Sequence, residues 1–241
     1  MKTCWLHQQG NQDCLLFMAG WGMCPEPFQD IPSGGTDVLM AYDYRDMDTG
    51  GITSFLRSNT YRKYKTYKRL HLLAWSMGVW TASMLSRHDE LFDSRLTTAI
   101  AIGGTCHPIH DKLGIPEQNF ANMAEQLSPD GLEAFQRSMF TNKQEADRFT
   151  VFFCKGERSF EEVHQELLIL ATAYTTYTTD KVLSDVPNIY TSRLVTGRDQ
   201  IFPARNQVRA WGRKQCSSLS LSHFPFYHWP SWSTMIEELK S

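Results

Sequence analysis

The chain has 241 residues, of which 41% are hydrophobic and 12% are aromatic, and we expect them to form one domain over residues 1–241. The formal net charge of −2 excludes a strong overall attraction to nucleic acid or to a membrane surface. The chain contains no run of about 18 apolar residues, so we expect no transmembrane helix. Trp5, His7 and Gln8 interrupt the stretch that would be apolar in a signal peptide, which predicts a cytoplasmic protein.

Short apolar runs that predict buried β-strands alternate along the chain with helical patterns. The opening run Thr3–Gln8 and the run Cys14–Ala19 are separated by a polar turn, which predicts a β-hairpin. The alternation that follows predicts a mostly parallel central sheet with helices on both faces, in an α/β domain. The buried runs are Cys14–Ala19, Val38–Tyr42, Leu70–Trp75, Thr97–Ile102 and Ile189–Val195.

From about residue 114 to 180 the sequence shows helical patterns without a convincing strand. A Ser-Pro pair at 128–129 is typical of a helix start, and residues 159–162 form a capping box before another apolar helix. Helices inserted between two strands of a sheet favour a lid over the carboxyl edge of that sheet. The alternative is one or two ordinary crossover helices.

The six cysteines are scattered, without a CxxC pair or a zinc spacing, so we predict no metal site. Scattered cysteines in a reducing compartment are usually small core residues. An alternative is that Cys106 and His107 form a catalytic pair, but side chains of adjacent residues rarely face each other. The cysteines are Cys4, Cys14, Cys24, Cys106, Cys154 and Cys216.

An apolar strand runs directly into the turn Trp75-Ser76-Met77-Gly78, and a helical pattern follows. This is typical of a nucleophile turn, small-x-Ser-x-Gly, in which small residues allow the strand and the helix to approach closely. Gly78 fits the pattern, whereas Ala74 stands where glycine is usual. We therefore predict Ser76 as a nucleophile. The alternative is that Ser76 caps the helix, since serine is a favoured N-cap.

A serine nucleophile needs a general base and an acid that orients the base, and in this fold the acid precedes the base in the chain. Asp199 follows a strand and a glycine turn and is the predicted acid, although it also suits an ordinary turn. His223 lies later, in a loop rich in Phe, Trp and Pro that favours a neutral imidazole. His228 is the rival base, but its place beside Trp229 favours a structural role.

Acyl transfer also needs two backbone N–H donors for the developing oxyanion. We predict Met77, which follows the nucleophile, and Trp21, which lies in the Gly-Trp-Gly turn after an early strand. The alternative for Trp21 is an ordinary glycine turn. The order of these elements predicts an α/β-hydrolase fold with an inserted helical lid at about 114–180.

Four motifs along the chain carry a resemblance to a known family. With them, the chain resembles the pimeloyl-acyl-carrier-protein methyl ester esterases of biotin synthesis, in the branch called the BioG type. The chain departs from the family in two places: it reads Met18-Ala19-Gly20 where relatives of the fold often carry histidine before the glycine, and it has Ala74 in the nucleophile turn. The motifs are Gly20-Trp21-Gly22, Trp75-Ser76-Met77-Gly78-Val79-Trp80, Gly197-Arg198-Asp199-Gln200-Ile201-Phe202-Pro203 and His223-Phe224-Pro225-Phe226.

The resemblance implies hydrolysis of the methyl ester of pimeloyl attached to acyl carrier protein, with no metal or organic cofactor. Ser76 would attack the ester carbonyl and His223 would take its proton, while the amides of Trp21 and Met77 would hold the oxyanion. One alternative is a general carboxylesterase or thioesterase acting on small acyl substrates. Another is a non-catalytic protein that uses the hydrolase fold to bind a ligand or partner.

The resemblance also directs attention to side chains that could contact the substrate or its carrier. Trp75 and Trp80 flank the nucleophile turn and are predicted substrate contacts. Acyl carrier proteins are acidic, so a basic rim would steer them, although most charge runs are simply solvated faces. A second basic cluster at 62–69 precedes a strand and is expected at the opposite sheet edge. The basic residues predicted for the lid are Arg137, Lys143, Arg148, Lys155 and Arg158.

Overall fold

The computed structural model describes residues 1–48, 50, 52, 67–87, 96–153, 158–179 and 186–240. Within these residues, seven strands form one sheet in the order β1-β3-β2-β4-β5-β6-β7. β1 is antiparallel to β3, and the other neighbouring pairs are parallel. The strands are β1 (Lys2–His7), β2 (Asp13–Met18), β3 (Thr36–Tyr42), β4 (Arg69–Trp75), β5 (Leu96–Ile102), β6 (Ser192–Thr196) and β7 (Ser217–Leu219).

All described α-helices except the last lie between strands, and four of them lie between β5 and β6, where the sequence predicts a helical insertion. Two of the predicted helix starts are confirmed by their caps. Ser128 Oγ accepts from the N–H of Gly131, and Ser159 and Glu162 form a reciprocal capping box. The helices are α1 (Glu26–Gln29), α2 (Met77–Leu85), α3 (Glu117–Glu125), α4 (Pro129–Ser138), α5 (Lys143–Phe153), α6 (Phe160–Thr179), α7 (Ala204–Trp211) and α8 (Trp232–Leu239).

Two apolar cores lie on the two faces of the sheet because successive side chains of a strand point to opposite sides. Leu16 of β2 belongs to the core that contains Trp80 of α2. The next residue, Phe17, belongs to the other core, where its ring lies 4.9 Å from Phe28 and 5.1 Å from Trp232. The predicted mostly parallel sheet with helices on both faces is therefore confirmed.

The predicted hairpin between Thr3–Gln8 and Cys14–Ala19 is wrong, because β3 lies between β1 and β2. Every residue of β2 after Asp13 is buried, whereas β1 is only partly buried. A fully buried strand needs hydrogen-bonding neighbours on both edges, and a partly exposed strand tolerates a sheet edge. The connection from β1 to β2 is held by the Asp37 carboxylate, which accepts from the backbone N–H groups of residues 9–11.

The described cysteines are free thiols, and Cys14, Cys24 and Cys106 are buried, as expected of small core residues. Cys154 lies outside the described residues. Among the helices that the structure describes, none is long and apolar enough to cross a membrane.

Candidate active site

Ser76 lies in the sharp turn between β4 and α2. Its backbone adopts φ 58° and ψ −127°, a conformation that costs a residue with a side chain about 1–3 kcal/mol. The turn is tight because α2 begins directly against the end of β2, and a Cβ on Gly78 would overlap the carbonyl oxygens of Met18 and Ala19. The Ser76 side chain makes no capping hydrogen bond to α2. Ser76 therefore occupies the N-cap position of α2, as the alternative expected, but its side chain does not cap the helix.

The structure brings Ser76, His223 and Asp199 into one chain of hydrogen bonds. Ser76 Oγ lies 3.0 Å from His223 Nε2, and His223 Nδ1 lies 2.8 Å from Asp199 Oδ2. When Nδ1 carries the proton and donates it to the carboxylate, Nε2 is free to accept the serine proton. The rival base His228 is exposed and lies against Trp229. The geometry thus favours His223 as the partner of Ser76.

Asp199 accepts hydrogen bonds on both of its carboxylate oxygens. Oδ1 accepts from the backbone N–H groups of residues 201–202, each at 2.8 Å, which is an Asx-type turn. Oδ2 accepts from Thr196 Oγ1 at 2.6 Å and from Gln207 Nε2 at 3.1 Å, in addition to facing His223. Asp199 therefore shapes its own turn with one oxygen and faces the histidine with the other.

The sequence analysis missed Thr196 and Gln207. Gln207 is completely buried, donates to the backbone carbonyl of Phe202 at 2.7 Å and accepts from the backbone N–H of Thr196 at 3.2 Å. One signal could have found it: Gln207 lies four residues before Trp211, on the buried face of the amphipathic helix α7. A polar side chain on such a face requires hydrogen-bond partners.

Aromatic side chains hold the imidazole of His223 in place. The Phe202 ring is stacked parallel to the imidazole, with the ring centroids 6.0 Å apart, and the Trp75 ring lies 5.2 Å away. Trp75 Nε1 also donates to the backbone carbonyl of His223 at 2.8 Å. The N–H of Phe224 donates to the carbonyl of Met139 at 3.1 Å, which ties this loop to the end of α4. The ring is thus fixed from the sheet and from the helical insertion.

Both residues predicted to supply the oxyanion donors, Trp21 and Met77, line the same cavity as Ser76. A Cβ on Gly20 would stand 3.1 Å from the Cβ of Ser76, so the loop after β2 passes directly beside the serine and carries Trp21 there. The Trp21 indole donates to the carbonyl of Val163 in α6 at 2.8 Å. Met77 is the first residue of α2, and the N–H groups of a first helical turn have no acceptor within the helix.

A small apolar cavity adjoins Ser76 and His223. Three of the four helices between β5 and β6 contribute to its wall: α3, α4 and α6. These helices therefore cover the serine. The apolar lining includes Trp21, Ile115, Phe120, Met123, Phe135 and Leu167.

The two tryptophans that flank the nucleophile turn have different surroundings. Trp75 lines the cavity. Trp80 is completely buried in α2, with its ring 5.6 Å from Tyr174 of α6, and it does not line the described cavity. The structure thus gives no support to the prediction that Trp80 contacts the substrate, because one helical turn after Met77 the side chain points into the core.

The described basic residues predicted for the lid include one with a buried side chain and three that are exposed. Arg158 is only 4% exposed and is paired with the buried Glu166 at 2.9 Å, so the prediction that it contacts a carrier is wrong. Arg137, Lys143 and Arg148 are 49%, 83% and 40% exposed, each with an acidic partner. Lys155 lies outside the described residues.

Most of the second basic cluster, 62–69, also lies outside the described residues. Arg69 is described and pairs with Asp13 at 2.5 Å. Both residues begin their strands, β4 and β2. This places Arg69 at the sheet edge opposite the carboxyl ends of the strands, as the sequence predicted.

Cys106 does not form a catalytic pair with His107. Its Sγ lies 3.5 Å from Ser83 Oγ, and burial raises the pKa of the Cys106 thiol to about 11, which keeps it protonated near neutral pH. Burial also lowers the pKa of His107. In the part of the chain that the structure describes, no three His, Cys, Asp or Glu side chains are grouped to hold a metal ion.

The sheet order, the serine turn after β4 and the helices on both faces define the α/β-hydrolase fold. Residues 1–235 match the family described as pimeloyl-ACP methyl esterase BioG. The chain belongs to this family.

Similar proteins support this assignment. The crystal structure of BioG from Haemophilus influenzae is similar with a TM-score of 0.76 and 28% identity, over 97% of this chain and 99% of that one. An uncharacterized protein from Haemophilus influenzae strain Rd is 30% identical over 98% of this chain and 99% of its own length. A malonyl-[acyl-carrier protein] O-methyltransferase from Bacteroides fragilis is 32% identical over 87% of this chain, but the match spans only 38% of that relative.

Proposed function

We propose that this protein is a serine carboxylesterase that hydrolyses the methyl ester of pimeloyl carried on acyl carrier protein, in biotin synthesis. The observation that carries the proposal is the hydrogen-bond chain from Ser76 through His223 to Asp199, beside an apolar cavity. Membership of the BioG family supports the choice of substrate.

In the proposed reaction, Ser76 Oγ attacks the ester carbonyl while His223 Nε2 takes the hydroxyl proton. The negative charge that develops on the carbonyl oxygen accepts hydrogen bonds from the N–H groups of Trp21 and Met77. The imidazolium, stabilised by Asp199, gives its proton to the departing methanol. A water molecule, deprotonated by the same imidazole, then attacks the acyl-enzyme, releases the carboxylic acid and restores Ser76.

The cavity supports an ester group at the end of an uncharged acyl chain. Apart from Ser76 and His223, its described lining is aliphatic, aromatic, glycine or methionine, and burial of a carboxylate there would cost several kcal/mol. The methyl ester enters as a neutral group, whereas the product is charged and is expelled. We propose that α3 to α6 act as the lid that excludes water from this chemistry.

We propose that the acidic carrier docks on the exposed cations of the lid, Arg137, Lys143 and Arg148. The Bacteroides relative is named for action on an acyl carrier protein, which supports a carrier as partner. Lys143→Glu would raise the KM for the carrier-bound ester and leave the KM for a small soluble ester unchanged. Equal KM values for wild type and variant would contradict this docking surface.

The function is tested by comparing hydrolysis of the pimeloyl methyl ester on acyl carrier protein with hydrolysis of short p-nitrophenyl esters. We expect the carrier-bound ester to be strongly preferred, and Ser76→Ala to hydrolyse neither. Rescue of a biotin auxotroph that lacks its esterase would support the pathway. Hydrolysis of small esters alone would instead indicate a general carboxylesterase. Failure of a fluorophosphonate to label wild-type Ser76 would indicate a non-catalytic binding protein.

A further inference from the structure

Helix α6 holds two backbone segments, the predicted oxyanion loop after β2 and the turn after β3, through one buried side chain, Glu166. Glu166 is completely buried. Its Oε2 accepts from the backbone N–H of Gly22 at 3.0 Å, and its Oε1 accepts from the backbone N–H of Tyr44 at 2.8 Å. Gly22 directly follows Trp21, the predicted oxyanion donor. The carboxylate therefore fixes the peptide that immediately follows this donor.

Arg158 neutralises this buried carboxylate. Its Nη1 lies 2.9 Å from Glu166 Oε2 and donates to the carbonyl of Met23 at 2.9 Å. The Arg158 side chain is 4% exposed. Burial raises the pKa of Glu166, and the charge of Arg158 and the two backbone N–H groups oppose that rise. The two side chains thus hold the loop through two hydrogen bonds: Glu166 accepts from the N–H of Gly22, and Arg158 donates to the carbonyl of Met23.

Fold stability alone does not require this arrangement, because well-packed apolar side chains often replace a buried ion pair without loss of stability. An apolar side chain has no acceptor for the N–H of Gly22, however, and Gly22 adopts a positive φ of 74°. A neighbouring peptide that is held in one orientation limits how far the N–H of Trp21 can rotate. Catalytic donors have to be held within about 0.5 Å and 10–20° of their productive geometry.

We propose that Glu166, together with Arg158, is a positioning residue for the oxyanion hole and aims the Trp21 N–H at the oxyanion. This role rests on the proposed esterase function. In this proposal α6 contributes to the chemistry as well as covering the cavity. The same helix also contacts Trp21 through the carbonyl of Val163, which accepts from the Trp21 indole N–H. The donor acts on the charge that develops during the reaction. Its misplacement therefore lowers kcat more than it weakens substrate binding.

The test compares Glu166→Gln with Glu162→Gln, the same change one helical turn earlier, where the side chain is 28% exposed and bonds Ser159 and Arg45. In Glu166→Gln, an amide N–H replaces one acceptor oxygen and faces a backbone N–H or the guanidinium. We expect kcat on a p-nitrophenyl ester to fall about 10- to 100-fold with KM within about threefold. Glu162→Gln should keep the wild-type kcat.

Labelling with a fluorophosphonate separates positioning from a loss of folded enzyme. A positioning role predicts that Glu166→Gln labels fully at Ser76 but more slowly than wild type. Wild-type kcat per labelled site would overturn the proposal. If Glu166→Gln does not fold, the double variant Arg158→Met with Glu166→Met is used instead, because it removes both charges. Wild-type kcat per labelled site in the double variant would also overturn the proposal. Absence of labelling in wild type would instead overturn the esterase function and this role with it.

Discussion

Trp75 donates its indole N–H to the backbone carbonyl of His223 at 2.8 Å. The two residues are far apart in the chain: Ser76, which follows Trp75, lies 147 residues before His223. The residue before the proposed nucleophile therefore holds the loop that carries the proposed base. The bond is buried, so water does not compete for either partner. It links two loops whose separation sets the distance from Ser76 Oγ to His223 Nε2.

Trp75→Phe should lower kcat by about tenfold and destabilise the protein by about 1–3 kcal/mol, because the buried carbonyl of His223 loses its donor. Trp80→Phe is the matched control. The Trp80 indole N–H is buried and has no hydrogen-bond partner among the described residues, so its removal should leave kcat unchanged. Steady-state kinetics and urea unfolding measure both effects. Equal kcat values in the two variants would show that the Trp75 bond does not position His223.

Replacement of Ser76 should separate activity from backbone strain. Ser76→Ala and Ser76→Gly both remove the hydroxyl, and both should lower kcat by at least about 10⁴-fold. Glycine adopts a φ near 58° without the steric cost that alanine pays. We therefore expect Ser76→Gly to be more stable than Ser76→Ala by about 1 kcal/mol in urea unfolding. A glycine variant less stable than the alanine variant would mean that the turn stores no strain.

Gln207→Leu should lower kcat about 10- to 100-fold, since hydrogen bonds to a charged group are worth about 1.5–3 kcal/mol. The leucine keeps the volume but removes the donor to Asp199 Oδ2, which leaves the carboxylate freer to turn away from His223. Gln136→Leu is the control, because Gln136 is also buried and its Nε2 has no partner in the described part of the chain. If both variants lose activity equally, the contact with Asp199 is not the cause.

The charges around Asp43 predict how stability depends on pH. Burial by itself raises the pKa of Asp43, but hydrogen bonds and charges from Arg45, Arg158 and Lys2 outweigh it and lower the pKa from 3.8 to about 2. Because the folded pKa lies below the unfolded value, the ionised carboxylate stabilises the fold above about pH 4. This contribution, about 2 kcal/mol, is lost as the pH falls toward 2.

Asp43→Asn is the variant that tests this pH dependence. Asparagine tolerates the positive φ of 57° at this position, so the backbone should be kept while the titrating group is removed. Between about pH 5 and pH 2, the free energy of unfolding of wild type should fall by about 2 kcal/mol more than that of the variant. Parallel pH profiles for the two proteins, measured by urea unfolding, would refute the role of Asp43.

Local patterns in the sequence determined much of the fold and the candidates for the site. The serine turn, the caps at Ser128 and Ser159, and the alternation of strands and helices depend on residues close together in the chain. Short-range sterics and hydrogen bonds act within such segments whatever lies around them. For this reason Ser76, Asp199 and His223 could be selected before their distances were known.

Only the tertiary structure decided which residues meet across the chain. The pairing of β1 with β3, the packing of Trp80 on Tyr174, and the contacts of Arg158 and Glu166 with the loop after β2 join segments far apart in sequence. Burial and hydrogen-bond satisfaction over the whole chain select such pairs, and no local spacing records them. An arginine on a helical insertion has the same sequence pattern whether it faces solvent or, like Arg158, neutralises a carboxylate beside the predicted oxyanion loop.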